Sequence, residues 1–400
     1  MKSILLLIAL VGMGLNSYAQ RNEADSLAYQ SHWRQYIVHL PPGFEANTAT
    51  PVVMVLHGGS GNYRSVQGFT RMNRVSNQNG FLTVYPQGRG IAPPGYSWAD
   101  GRGTTADDAD IDDVGFLSRL IDTLYRDYLI DTNRIYVCGF SNGGFMTQKL
   151  ACALPGRFAA VGALGCSIDT SLIKTCTPGQ AVPTAYFSGT ADPEVPYEGG
   201  AMRNPRVTPI VPVDTAVQFW VRNNNCQTNP GVIKIPDSVP TDRSTVDLFQ
   251  YTHCDCEADV YFYRINNGGH TWPGVPVPQF PQLGNTNEDI DASEALWNFF
   301  RPFSRCDTAV GMTVMEQTGP FEVFPNPVHH WLKVHWGPST EAPQTIGIYS
   351  MDGRRRYQVV PGTHAPNGTM RIPTGNLPSG PFILRLNTRK GIRHVQMMKE

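Results

Sequence analysis

Arg134-Ile135-Tyr136-Val137-Cys138-Gly139-Phe140-Ser141-Asn142-Gly143-Gly144-Phe145-Met146 runs from an apolar, β-rich segment straight into a helical pattern, with a serine at the turn between them. The apolar run Ile135-Tyr136-Val137-Cys138 within Arg134–Gly139 predicts a strand buried on both faces. A helix is expected to open at Asn142. Small residues two before and two after Ser141 let the backbone bend sharply enough to hold the serine in a strained conformation, its hydroxyl raised above the sheet. Ser141 is therefore the candidate nucleophile.

Outward from this turn the same alternation repeats. Candidate strands are Gln35–Leu40, Pro51–Leu56, Phe81–Tyr85, Ala159–Leu164, Pro183–Phe187 and Val260–Ile265, with Ser244–Tyr251 placed at an edge. Helical patterns separate them, the clearest over Asp112–Tyr128, where Val114, Leu117, Leu120, Ile121 and Leu124 form one stripe and aspartates sit at the positive end of the helix dipole. Others are expected over Val213–Asn224 and Ser293–Phe300. Short strands alternating with crossover helices predict an α/β fold, a mostly parallel sheet with helices on both faces. After Cys306 the pattern changes to apolar–polar alternation between turn signals such as Asn326-Pro327, Asp352-Gly353, Asn367-Gly368 and Ser379-Gly380, which predicts a small all-β sandwich. The expected organisation is residues 1–19 as a signal peptide, 20–305 as the α/β domain, 306–318 as a linker and 319–400 as the sandwich.

The N-terminus supports export. Lys2 precedes the apolar run Ile4–Val11, and Ser17-Tyr18-Ala19 is a small-x-small cleavage pattern that would leave Gln20 first in the mature chain. A membrane anchor would need roughly 20 apolar residues, and this run is shorter and broken by Gly12 and Gly14. No membrane insertion of the mature chain is expected. Lysine plus arginine (32) and aspartate plus glutamate (33) nearly cancel, so the chain lacks the basic footprint of a nucleic-acid partner. All eight cysteines precede the last quarter, which places disulfides in the first domain. His253-Cys254-Asp255-Cys256 is too tightly spaced for a structural zinc site and reads better as a disulfide position. Cys138, inside an apolar run, reads as a buried thiol.

A serine hydroxyl attacks an ester only when an imidazole takes its proton and a carboxylate orients that imidazole. Where a nucleophile stands on such a turn, the partners follow in the order Ser, then Asp or Glu, then His. Asp192 lies in Ser188-Gly189-Thr190-Ala191-Asp192-Pro193-Glu194, just past a strand, where open α/β sheets place their sites. Glu194 is its nearest rival. His270 lies in Asn267-Gly268-Gly269-His270-Thr271-Trp272 after the last strand, and is preferred over His253, which precedes that strand beside two cysteines. Oxyanion donors are expected at the backbone N–H of Asn142 and of Gly59 or Ser60, in the glycine loop Leu56-His57-Gly58-Gly59-Ser60-Gly61. His57, ahead of the serine, is assigned a structural role in that loop. Trp98, Tyr197 and Trp272 are candidates for lining an acyl pocket. The acidic run Asp107–Asp113 lacks the glycine and distal glutamate of a calcium loop, so helix capping explains it better. The scheme requires no metal and no cofactor.

These motifs, with Asp112-Asp113-Val114-Gly115-Phe116-Leu117, Gly189-Thr190-Ala191-Asp192-Pro193 and Gly268-Gly269-His270-Thr271-Trp272-Pro273-Gly274, make residues 34–303 resemble the polyhydroxybutyrate depolymerase-like esterases of the α/β-hydrolase fold. That group borders the feruloyl and acetyl xylan esterases of carbohydrate esterase family 1. The resemblance implies Ser141, Asp192 and His270 as a catalytic triad. Phe321–Glu400, with Val323-Phe324-Pro325-Asn326-Pro327-Val328, Ile348-Tyr349-Ser350-Met351-Asp352-Gly353 and Leu377-Pro378-Ser379-Gly380, is similar to the C-terminal sorting domains of the type IX secretion system. It implies type IX secretion machinery as partner and an extracellular or cell-surface location. The rival for this segment is a carbohydrate- or polyester-binding module.

The function expected is a secreted serine carboxylic-ester hydrolase acting through an acyl-enzyme, with feruloyl or acetyl esters of plant polysaccharide as first choice. That choice rests on the lack of a Ser/Thr-rich linker and dedicated polymer-binding module. Polyester depolymerisation is the alternative. A non-catalytic binding protein on a hydrolase scaffold is the second alternative, against which all three triad positions are filled.

Overall fold

The computed structural model describes residues 19–305 except 47, 91–94, 109–110 and 205, and residues 321–399 except 325–327, 329, 337–342, 351–354, 361–367 and 389–390. The signal-peptide run, the 306–318 linker and Cys306 lie outside the described residues, as do the Asn326-Pro327 and Asp352-Gly353 turns. The chain divides into two compact units, Met1–Asp307 and Thr308–Glu400.

The first unit contains, in chain order, β1 (Arg21–Tyr29), β2 (His32–Leu40), β3 (Thr50–Leu56), α1 (Tyr63–Thr70), α2 (Met72–Asn79), β4 (Leu82–Pro86), α3 (Thr105–Asp108), α4 (Asp113–Tyr128), β5 (Ile130–Phe140), α5 (Asn142–Ala153) and β6 (Ala160–Leu164). It continues with α6 (Leu172–Thr175), β7 (Thr184–Gly189), α7 (Val213–Asn223), β8 (Gly231–Lys234), β9 (Thr245–Tyr251), β10 (Val260–Asn266) and α8 (Ala292–Phe300). The strands form one 10-stranded sheet in the order β1-β2-β4-β3-β5-β6-β7-β10-β9-β8. From β4 to β10 all neighbours are parallel, and antiparallel pairs close both ends. This is the α/β-hydrolase arrangement, a large, mostly parallel sheet with helices.

Burial explains which strands form the middle. Every residue of β3, β4, β6 and β7 is buried, which a sequence achieves only by being apolar on both faces. Two separate cores result. Phe116, Leu117, Leu120, Ile121 and Leu124 of α4 pack on one face of the sheet, and Leu296 and Phe300 of α8 pack on the other. Each such side chain contributes roughly 1.5–3 kcal/mol on full burial. Asp112 caps α4 by accepting the Gly115 N–H at 2.8 Å.

Two sequence expectations change here. Ser244–Tyr251 is not an edge, because β9 pairs with β10 on one side and with β8 on the other. The additional strand β1 pairs with β2 over the whole of Arg21–Tyr29 and forms the opposite edge. Disulfides join Cys152 to Cys176 and Cys226 to Cys254, while Cys138 and Cys166 are buried free thiols.

The second unit contains β11 (Phe321–Phe324), β12 (Trp331–Trp336), β13 (Thr345–Ser350), β14 (Arg355–Val359), β15 (Thr369–Pro373), β16 (Gly380–Thr388) and β17 (Gly391–Lys399). They form a sheet β11-β12-β15 and a sheet β14-β13-β16-β17, antiparallel throughout. Leu332, Val334, Ile346, Ile348, Ile372, Leu384 and Leu386 of both sheets make one buried core.

Candidate active site

The turn at the end of β5 is strained. Ser141 has φ 54° and ψ −120°, a region a non-glycine residue enters only when its surroundings force it. The surroundings are close contacts. A methyl group on Gly143 would lie 2.4 Å from the Leu56 carbonyl oxygen and 2.6 Å from that of His57, and one on Gly139 would lie 2.2 Å from the Gly143 carbonyl oxygen. Side chains at either position would push α5 away from the ends of β3 and β5. The Ser141 N–H donates to the Leu164 carbonyl at 2.9 Å, which ties the turn to the end of β6.

The next residue along that strand end, Gly165, faces the candidate base. A methyl group there would meet the Phe140 ring at 2.9 Å and His270 Cε1 at 3.2 Å. His270 packs on Phe140, with ring centroids 4.7 Å apart, and its backbone N–H is held by the Leu283 carbonyl at 2.6 Å. Asp192 Oδ2 lies 2.7 Å from His270 Nδ1. The other oxygen, Oδ1, accepts the backbone N–H groups of Glu194 and Val195, each at 2.8 Å. An acceptor-only carboxylate requires the imidazole to carry its proton on Nδ1, which leaves Nε2 with a lone pair. Both side chains are buried. Among the described residues no hydrogen bond joins the Ser141 hydroxyl to His270.

The rivals stand elsewhere. Glu194 forms an ion pair with Arg203 at 2.6 Å. His253, at φ 57°, bonds to the Thr252 hydroxyl, and its neighbour Cys254 is in a disulfide.

The glycine loop approaches the turn directly. A methyl group on Gly58 would lie 3.4 Å from the Ser141 Cβ, and one on Gly59 would lie 3.6 Å from the Asn142 Cβ. The loop closes on itself through the Gly61 N–H, which donates to the Gly58 carbonyl at 3.1 Å, with Ser60 at φ 59°. The N–H groups of Gly59, Ser60 and Asn142 have no protein acceptor among the described residues. His57 holds the loop from behind. Its Nδ1 donates to the Gly58 carbonyl at 2.8 Å, so Nε2 must be the atom that accepts from the Gly88 N–H at 3.0 Å and from Gln87 Nε2 at 3.1 Å. Burial pushes its pKa down to about 4, against the raising effect of the Gly58 bond.

The aromatic residues expected to line a pocket require correction. Trp98 and Trp272 expose no surface, so neither offers a face to a substrate. Trp98 packs on His57, and Trp272 packs against Phe69 and Phe140; large rings fill the space beneath the loops. Tyr197 is buried with its hydroxyl donating to Asp214 at 2.9 Å.

Several residues of the site escape a reading by motif. Arg34 pairs with Asp113 inside the protein, lies 3.8 Å above the Phe116 ring and donates to the Gln87 carbonyl at 3.0 Å. Asp100 pairs with Arg102 at 2.7 Å, also buried. Burial pushes the Asp100 carboxyl up, and Arg102 pulls it back. The available signal was the acidic run, of which Asp112 caps α4 as expected while Asp113 turns inward to Arg34.

Residues 34–171 match the family described as Esterase PHB depolymerase, and residues 322–399 match the Secretion system C-terminal sorting domain. Feruloyl esterase C of Emericella nidulans is 29% identical over 278 residues, 68% of this chain and 85% of that protein. Feruloyl esterase B of Piromyces equi is 27% identical over 241 residues, 59% of this chain but 42% of the longer relative. Among solved structures, an acetyl xylan esterase from Aspergillus awamori aligns with TM-score 0.43 and 15% identity over 66% of this chain and 97% of that one. The chain is thus a carboxylic ester hydrolase directed out of the cell, similar over residues 34–171 to the Esterase PHB depolymerase family and over residues 322–399 to a secretion sorting domain.

Proposed function

We propose that ester hydrolysis proceeds through an acyl-enzyme on Ser141, with His270 as base and acid and Asp192 as its orienting carboxylate. The observation that carries this reading is the 2.7 Å bond from His270 Nδ1 to an Asp192 carboxylate already held by two backbone N–H groups. Nε2 takes the Ser141 proton as Oγ attacks the ester carbonyl. The negative charge that develops on the carbonyl oxygen is met by the N–H of Asn142 and that of Gly59 or Ser60, and such donors act without reorganising. Collapse of the tetrahedral intermediate returns the proton from Nε2 to the leaving alcohol. Water, deprotonated by the same nitrogen, then releases the acid and restores Ser141.

The substrates proposed are feruloyl or acetyl esters of plant polysaccharide, supported by the likeness to feruloyl esterases over most of the first unit. The second unit acts as the type IX sorting signal. A second reading, hydrolysis of polyhydroxybutyrate, is favoured by the family matched over residues 34–171. Release of ferulate and acetate from arabinoxylan, measured beside clearing of a polyhydroxybutyrate suspension, separates the two. Acid release without clearing is expected; clearing without acid release overturns the substrate assignment.

A further inference from the structure

The segment between β4 and α3 grips the start of α5. The Asn142 carboxamide docks on it rather than on its own helix: Oδ1 accepts the Trp98 N–H at 2.7 Å, and Nδ2 donates to Asp100 Oδ2 at 2.6 Å and to the Trp98 carbonyl at 3.2 Å. Three residues further along α5, Phe145 lies under the Arg102 guanidinium at 3.5 Å. One turn beyond that, Lys149 Nζ donates to the Ala99 carbonyl at 2.6 Å. Positions 142, 145 and 149 share one helix face, so a single segment holds α5 along that face. The segment is itself anchored, since the Ala99 N–H donates to Asp113 at 2.8 Å.

The same segment reaches the other oxyanion donor. The Trp98 indole N–H donates to the His57 carbonyl at 2.9 Å, directly before the glycine loop. One residue therefore bonds, through its backbone, to the side chain of Asn142 and, through its ring, to the loop of Gly59 and Ser60. We propose that Trp98 and Asp100 are positioning residues that set the separation of the two oxyanion donors, an inference that rests on the acyl-enzyme reading given above. The reason such a bracket is needed is physical. Ser141 gives α5 no side-chain cap, so within the helix its first peptide is held by one bond, the Phe145 N–H donating to the Ser141 carbonyl at 3.0 Å, which does not fix where the helix start lies relative to the glycine loop. An oxyanion donor works only when held within about 0.5 Å of its productive place.

The test compares full-length wild type, Trp98→Phe, Asn142→Ala, their double variant and Ser141→Ala. Trp98→Phe removes the indole donor and keeps most of the ring volume, while Asn142→Ala keeps the backbone N–H and cuts its side-chain tether. Kinetic constants on a p-nitrophenyl ester are read with the affinity for a trifluoromethyl ketone, which forms a tetrahedral oxyanion on the serine. Each single variant is expected to lose about 10- to 100-fold in both kcat and kcat/KM and to bind the ketone more weakly by a similar factor. The double variant is expected to lose about as much as the more impaired single variant rather than the product of the two losses, because both changes release the same bracket. A structural role alone predicts a lower melting temperature with kinetics unchanged in the folded fraction, and that result overturns the proposal. Asn142→Ala decides the matter if Trp98→Phe does not fold. Ser141→Ala separates the two levels: an active Ser141→Ala removes the acyl-enzyme reading and this inference with it, whereas an inactive Ser141→Ala beside unaltered Trp98→Phe and Asn142→Ala removes this inference alone.

Discussion

Asp192→Asn changes one atom's identity and leaves the size of the side chain intact. In the wild-type site one carboxylate oxygen accepts the N–H groups of Glu194 and Val195, each at 2.8 Å, and the other accepts the N–H of His270 Nδ1 at 2.7 Å. An amide has only one oxygen. The two backbone donors claim it, and the amino group is left facing His270. An amino group gives no lone pair, so Nδ1 must accept and the imidazole proton moves to Nε2. In that tautomer Nε2 cannot take a proton from Ser141. The expected result is a folded enzyme whose kcat falls by about 10⁴, the size of loss seen when the acid of a Ser-His-Asp triad becomes an amide. At 1.36 kcal/mol per tenfold this is about 5.5 kcal/mol of transition-state stabilisation. KM should hold nearly constant, because the change lies behind the imidazole. Initial rates on a p-nitrophenyl ester, with circular dichroism to establish folding, provide the assay. A folded Asp192→Asn enzyme within tenfold of wild type refutes the tautomer argument.

Three further outcomes follow from the same geometry. Because burial lowers the His57 pKa to about 4 from its ordinary 6.5, the unfolded chain takes up a proton below pH 6.5 that the folded chain refuses. This group's stabilisation is complete above pH 6.5 and falls by about 3 kcal/mol by pH 4; urea midpoints across that range should drop more steeply in wild type than in His57→Gln, and parallel curves contradict the assignment. Replacing Cys152 and Cys176 by serine opens a link spanning 24 residues, which should cost about 3 kcal/mol in urea unfolding by loop entropy; an unchanged midpoint argues against the bridge. Gly143→Ala places a methyl group 2.4 Å from the Leu56 carbonyl oxygen, and should lower stability by about 1–3 kcal/mol together with kcat; retention of both would show that α5 can shift freely.

What could be read in advance, and what could not, follows from the range of the interactions. Val52–Leu56, Leu82–Val84 and Val161–Leu164 are buried on both faces, so their sequences are apolar runs that announce themselves. β1 escaped notice because Leu27 is its only buried hydrophobic residue, and β8 because all four of its residues are exposed; these edges are held by backbone pairing, which leaves no apolar pattern. The helices α1 and α2 are eight residues each and mainly polar, so their short buried stripes fell below the level of a readable period. Ser141, Asp192 and His270, the triad proposed above, could be singled out because strand ends and turn glycines mark where such residues must stand. The bonds from Asn142 to Trp98 and Asp100 and from Arg34 to Asp113 span 42 to 79 positions and leave no local trace. The indoles of Trp98 and Trp272 were misplaced for a related reason: an aromatic beside a catalytic loop has the same sequence whether it faces substrate or fills the space beneath.

The most direct test of the acyl-enzyme mechanism is to treat the full-length protein with a fluorophosphonate and map the adduct by peptide mass spectrometry. The mechanism predicts one phosphonylated residue, Ser141, with loss of ester hydrolysis in step with labelling and no adduct in Ser141→Ala. Hydrolysis that persists in a fully labelled sample, or an adduct on a different serine that tracks inactivation, contradicts it.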